Sequence, residues 1–194
     1  MSAVLNRADR LIGILAFAFV MVFAAAAGFV HPAEAAQSGA PHLVIQLKDG
    51  VVDIELLPKL APKQVAQIIT LTDKGFYNGI VFHRVIDGFM AQTGDPTGTG
   101  MGHSDLPNVP AEFSKEPYVR GIVGAARAQD PDSANSQFFI MLADNQSLTG
   151  NYTVFGKVVS GMEFVDQIKK GDGANNGMVT DPDKMVSAKI EYRN

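Results

Sequence analysis

The 194 residues include no cysteine and no tryptophan. Without cysteine the chain can form no disulfide, offer no thiol nucleophile and build no thiolate metal site, so its stability has to come from packing. Basic residues are outnumbered, 16 to 20, for a net charge of −4. Nucleic-acid binding wants a basic face, so no such partner is indicated. The four histidines, His31, His42, His83 and His103, have neither H-x₃₋₅-H nor HExxH spacing, which leaves a zinc site without support. The G-x-S-x-G of a hydrolase elbow is missing. GTGMG at 98–102 is not followed by the G-K-[ST] of a phosphate loop. DGANNG at 172–177 lacks the carboxylates of a calcium loop and reads as a turn. Asn145 and Asn151 begin glycosylation sequons, a pattern short enough to arise by chance. No cofactor is implied.

Long apolar runs are absent as well, with one exception. Residues 11–30, LIGILAFAFVMVFAAAAGFV, follow Arg7 and Arg10 and precede Pro32 and the A-x-A of Ala33-Glu34-Ala35. Basic, apolar and small-residue regions in that order describe a secretory signal peptide spanning residues 1–35. The alternative is an uncleaved membrane anchor, because about 20 apolar residues just span a bilayer as a helix. Either way the remainder is expected to leave the cytoplasm. Cleavage after Ala35 removes Arg7, Asp9, Arg10 and Glu34, so the net charge stays at −4. Residues 36–41 form a short lead-in, and 42–194 are long enough for one domain with a real core. No heptad or long apolar helix face follows residue 35, so a monomer is expected.

The domain reads as many strands and two separated helices. Residues 42–48 and 51–57 alternate, with Leu43, Ile45 and Leu47 on one face and Val52, Ile54 and Leu56 on another, around Asp49-Gly50. That is a hairpin signal. A helix starts at Pro62, carries Val65, Ile68, Ile69 and Thr72 at helical spacing, and ends at Gly75. Strands are predicted over 81–86, 121–126, 138–142 and 154–159, with loops at 93–118 and 128–136. Ser160 and Glu163 have the spacing of a capping box for a second helix that closes near Gly171. A last strand carries Val186, Ala188, Ile190 and Tyr192 on one face. Strands joined by turns favour an antiparallel barrel or sandwich over a parallel sheet.

The candidate site is apolar and aromatic. Phe82, Phe89, Met90, Phe138, Phe139, Met141, Leu142, Leu148 and Phe155 accompany a few polar groups, Arg84, Gln92, Arg127 and Gln137. Pockets for organic ligands have this make-up. Phe82, Phe138 and Phe155 are expected to fill the core instead. Arg84 stands out, because period two places it on the face of Phe82 and Ile86, and arginine is rarely buried without a partner. A structural salt bridge or a snorkelling edge position would also accommodate it.

FHRVIDGFMAQTGD at 82–95 resembles the signature of the cyclophilins, the cyclosporin-type peptidyl-prolyl cis–trans isomerases. GDPTGTG at 94–100, SQFFI at 136–140 and VFGKVVSGM at 154–162 are similar to further family segments, in the family's order. The resemblance covers about residues 42–193 and is closest in loop length to compact bacterial members. It implies a closed eight-stranded antiparallel barrel capped by two helices, with no cofactor and no metal. It places the catalytic arginine on Arg84 and the proline-pocket residues on Phe89, Met90, Phe139 and Leu148. Polar substrate contacts fall on Gln92 and Gln137, and the backbone that holds the residue before proline falls near Ala126 and Arg127. Tyr152 stands where the family has a substrate-contacting histidine. Ser147 replaces the usual aromatic, which implies weak cyclosporin binding, and Thr93 replaces a glycine. The implied activity is isomerisation of X–Pro bonds in folding proteins, in the periplasm or at the periplasmic face of the inner membrane. A non-catalytic proline-peptide-binding or chaperone module on the same fold, or a membrane-tethered scaffold, is the alternative.

Overall fold

The structure is a computed structural model that describes residues 39–194. The expected leader or anchor and most of the lead-in lie outside the described residues. The fold begins with strands β1 (Ala40–Gln46) and β2 (Val51–Leu56), paired antiparallel with Gln46 opposite Val51. Leu43 and Ile45 of β1 and Val52, Ile54 and Leu56 of β2 are buried, as alternation requires. The turn sits one residue earlier than the Asp-Gly pair suggests. Leu47 N–H donates to the Gly50 carbonyl at 2.8 Å, which centres the bend on Lys48 and Asp49.

Helix α1 (Pro62–Asp73) has Pro62 in its first turn, where a missing N–H costs nothing. Its orphan amides are capped from a distance, since the Glu112 carboxylate accepts from Lys63 N–H at 3.0 Å and Gln64 N–H at 2.9 Å. The contact also pins the long connection at 94–121. That connection holds no strand of its own beyond an isolated bridge between Val109 and Ala134. Gly75, at φ +70°, ends the helical path as expected.

The remaining strands are β3 (Arg84–Ile86), β4 (Met90–Thr93), β5 (Ile122–Ala125), β6 (Phe138–Met141), β7 (Val154–Ser160) and β8 (Ser187–Arg193). They form one antiparallel sheet in the order β3-β4-β6-β5-β7-β2-β1-β8. The predicted mainly-β, eight-stranded architecture is therefore observed. The sheet is not closed by a hydrogen-bonded ladder between the outer strands β3 and β8. Residues 177–185, which lead into β8, run as a seam beside β3 and the residues before it, making isolated bridges from Met178 to Arg84 and from Lys184 to Val81. Backbone bonds support them, with Phe82 N–H donating to Asp183 and Val179 N–H to His83. The open backbone groups of the three-residue edge β3 are paired in this way.

Two local readings need correction. The second helix, α2, is only Met162–Asp166, and no side chain caps it. Ser160 is used as the last residue of β7, opposite Asp53, so the chain must reverse at Gly161. Gly161 is left-handed at φ 87° and is itself the cap residue. The helix stops short of Gly171 because the Asp183 carboxylate accepts from Lys169 N–H at 2.8 Å, and Gly171 N–H then bonds to Val85 of β3. In the last strand only Ala188 of the expected apolar face is buried, while Val186 and Tyr192 are exposed.

The main core lies inside the sheet. Tyr77, Phe138 and Phe155 meet edge to face, with Tyr77–Phe138 ring centroids 5.6 Å apart and Phe138–Phe155 6.0 Å. Phe82 joins this core, as expected for it and for Phe138 and Phe155. A second, smaller cluster on the other face of β4, β5 and β6 contains Met90, Tyr118, Phe139 and Met141.

Candidate active site

That second cluster carries the site. Register places Arg84 opposite Gln92, Gln92 opposite Phe139, and Phe139 opposite Gly124, so one row crosses β3, β4, β6 and β5. Consecutive phenylalanines divide the labour, since Phe138 enters the main core and Phe139 faces the site. The row needs a glycine in β5. A Cβ on Gly124 would collide with the Tyr118 hydroxyl and lie 2.6 Å from the Phe139 ring. Tyr118 and Phe139 stack there at 5.8 Å.

Arg84 shares a face with Ile86 but not with Phe82, contrary to the period-two reading. Residues 82 and 83 are not in a regular strand, so the alternation breaks there. Phe82 turns to the main core and Ile86 to the second cluster.

Arg84, Phe89, Met90, Gln92, Ala126, Arg127, Phe139, Leu148 and Tyr152 line one cavity of about 190 Å³. Nine of the ten sequence-predicted site residues are thus brought together. The tenth, Gln137, lies in an adjoining cavity of about 270 Å³ that shares Gln92, Ala126 and Arg127. It reaches the first cavity through Gln92, whose Nε2 donates to Gln137 Oε1 at 2.9 Å. Gln137 Nε2 in turn donates to the carbonyls of Gly100 and Gly102, at 3.1 and 2.8 Å. Those residues belong to a loop organised by the buried Asp95. Its carboxylate accepts from the Thr97 N–H and hydroxyl and from Gly100 N–H. These bonds outweigh the cost of burial and hold the Asp95 carboxyl down at about 2.

Arg84 meets no carboxylate among the described residues, which argues against the salt-bridge explanation for it. Its Nη1 donates to Gln92 Oε1 at 3.2 Å. Burial draws its pKa below the ordinary value, with the Tyr152 phenol opposing. An arginine so placed remains charged at neutral pH. Arg127 forms the opposite rim. It donates to the carbonyls of Ala128, Gln129 and Asn151, and its guanidinium lies 4.6 Å from the centre of the Tyr152 ring. Tyr152 meets Phe139 edge to face at 5.8 Å. Ala126 N–H is engaged by Gln137. Ser147 stays at the exposed end of the turn, its hydroxyl bonded to Asn145 Oδ1 at 2.7 Å. Thr93 is buried and ties β4 to the seam by donating to the Val81 carbonyl at 2.9 Å.

The chemistry this arrangement offers is binding a small apolar ring beside a fixed cation. The model of the cyclophilin type peptidyl-prolyl cis-trans isomerase family matches residues 42–190. This chain is a cyclophilin-type isomerase. A probable peptidyl-prolyl cis-trans isomerase of Brucella suis is 58% identical over 160 residues, covering 77% of this chain and 82% of that protein. A peptidyl-prolyl cis-trans isomerase of Helicobacter pylori is 42% identical over 135 residues, 68% of this chain and 82% of the other. Among solved structures, a Cryptosporidium parvum cyclophilin type isomerase, crystallised in the presence of the dipeptide ala-pro, superposes with a TM-score of 0.71. It is 29% identical and covers 78% of this chain and 99% of that one.

Three residues around the cyclophilin cavity escaped sequence reasoning. Tyr118 reads as an isolated aromatic in a loop. Asp95 closes the signature without revealing that it builds the loop behind Gln137. Asn176, which contacts Arg84 directly, is hidden in the DGANNG turn, whose only signal is that an Asn before Gly readily adopts the left-handed conformation.

Proposed function

We propose that the chain isomerises X–Pro bonds in polypeptides, with the proline ring in the apolar cavity and Arg84 acting on the amide. A peptide bond resists rotation because the nitrogen lone pair is delocalised, with a barrier of roughly 18–20 kcal/mol. In the twisted amide the proline nitrogen becomes pyramidal and regains that lone pair. A guanidinium N–H aimed at it donates a hydrogen bond the planar amide accepts poorly, so the transition state is bound better than the ground state. No bond is made or broken, and no covalent intermediate forms. A hydrogen bond to a charged group contributes about 1.5–3 kcal/mol, or on the order of 10–150-fold in rate. The remainder comes from a fixed, water-poor pocket. Phe89, Met90, Phe139 and Leu148 grip the ring. Gln92 and the backbone of residues 126 and 127 hold the preceding residue while its carbonyl turns.

The carrying observation is the position of Arg84 at the wall of a half-apolar cavity, with no carboxylate among the described residues that line it. Rotation of a short X–Pro peptide, followed with purified residues 36–194 and with the Arg84→Ala variant, tests the assignment. A slow variant with unchanged circular dichroism supports it, and a folded variant as fast as wild type refutes it.

The leader-like residues 1–35 support export, so the proposed site of action is the periplasm, with proteins folding after export as clients and the enzyme working as a monomer. Mass spectrometry of the protein recovered from cells tests this. An N-terminus near Ala36 indicates a cleaved soluble form, and an intact Met1 indicates the form anchored at the inner membrane.

A further inference from the structure

We propose that Asn176 is a positioning residue for Arg84, holding the guanidinium so that its remaining N–H groups face the substrate. This rests on Arg84 being the catalytic group. Two oxygens of the one asparagine meet the guanidinium. Arg84 Nε donates to the Asn176 carbonyl at 2.9 Å, and Nη2 donates to Asn176 Oδ1 at 3.0 Å. Arginine has donors only, so the amide of Asn176 has to turn its oxygen inward. On the other side Nη1 donates to Gln92 Oε1. Three of five N–H groups are thereby fixed. The two left, one on Nη1 and one on Nη2, are available to the substrate, with Met90 Sδ, 3.8 Å from Nη1, the one weak competitor among the described residues. Clamped at Nε, Nη1 and Nη2, the planar fork cannot rotate out of the cavity wall. A lysine's three donors turn about a single bond and would fix no such plane.

The clamp depends on an uncommon backbone. Asn176 is left-handed, at φ 52° and ψ 29°, and is one of two non-glycine residues with positive φ among those described. The turn that holds it is closed on itself and tied to β3. Asp172 Oδ1 accepts from Ala174 N–H at 2.9 Å, the Asp172 carbonyl accepts from Gly177 N–H at 2.8 Å, and Val85 N–H donates to Gly177 at 2.8 Å. The residue that fixes the outer side of the guanidinium is therefore 92 positions away in sequence and arrives through the seam.

The test is a double-mutant cycle on the purified full-length protein, read as kcat and KM for a short X–Pro peptide. Asn176→Gly keeps the left-handed backbone and its carbonyl but removes Oδ1. We expect it to lower kcat by roughly 3- to 10-fold, within the range of a single hydrogen bond to a charged group, with KM unchanged. In an Arg84→Ala background the same substitution should change kcat less than about 1.5-fold, because coupled residues are not additive. The Arg84 Nε–H resonance should broaden or shift in Asn176→Gly. Wild-type kcat in Asn176→Gly, beside a slow Arg84→Ala, overturns the positioning role and leaves Arg84 in place. An equal loss in both backgrounds also overturns it, showing that the turn acts on the fold instead. An Arg84→Ala protein as fast as wild type overturns both assignments together.

Discussion

The two halves of the cavity are built differently. The apolar half stands on β4 and β6, where Met90 and Phe139 are rungs of regular ladders and also members of a packed cluster. The polar half stands on the edge strand β3 and on loops, where Arg84 is held by side-chain and turn oxygens. The apolar residues are therefore structural and functional at once. The polar ones can be removed with little loss of packing, so changes there should read almost entirely in rate.

Phe139→Ala is expected to have the largest effect. The ring is buried between Tyr118 and Tyr152, and its removal should cost about 3–5 kcal/mol of stability along with most of the activity. Urea unfolding beside the peptide assay checks both. Arg84→Ala should lower kcat/KM on the order of 10–150-fold while its unfolding midpoint stays close to wild type. If it instead unfolds as readily as Phe139→Ala, the contrast between the halves fails. Gln92→Ala should slow the reaction less than Arg84→Ala, because it loses one bond to Arg84 and frees Gln137.

Acidity should separate the halves again. Burial lowers the pKa of His83, directly behind Arg84 in sequence. Sign follows from linkage. A histidine with a depressed folded pKa contributes its stability above about 6.5 and loses it as pH falls below that value. Asp95, held down at about 2, contributes above about pH 4 and loses its share as pH falls toward 2. Thermal unfolding against pH should thus decline first below about 6.5 and again below about 4, whereas kcat stays flat from about pH 6 to 9 because Arg84 does not titrate there. The smallest effect concerns the rim. Ser147→Trp should tighten cyclosporin binding by roughly tenfold, the worth of about one aromatic contact. It can be followed by fluorescence, since wild type has no tryptophan.

The same division explains what the sequence disclosed. Phe89, Met90 and Phe139 sit in contiguous motifs, and the family resemblance adds Leu148 to them. Nine of ten proposed residues line one cavity, and Arg84, Met90, Gln92 and Phe139 meet there because their motifs fall on the neighbouring strands β3, β4 and β6. The errors cluster where regular pairing stops. Phe82 leaves the face of Arg84 because the strand begins three residues later than periodicity suggests. Ser160 fails as a cap because β7 claims it, a competition visible only in the pairing with Asp53. Asn176 has no periodic or compositional mark, since its role depends on a left-handed backbone and a neighbour far away in sequence.

The pairing of β1 with β8 has a practical corollary. Ala40 lies directly opposite Arg193 in an antiparallel ladder, so the first and last strands meet at about 4.5–5.5 Å between Cα atoms. A linker of a few residues would span that gap, and fresh ends could be opened at an exposed bend such as Lys48-Asp49. Such a circular permutant would carry any fused tag or lipid anchor to a new side of the molecule without altering a residue of the cavity.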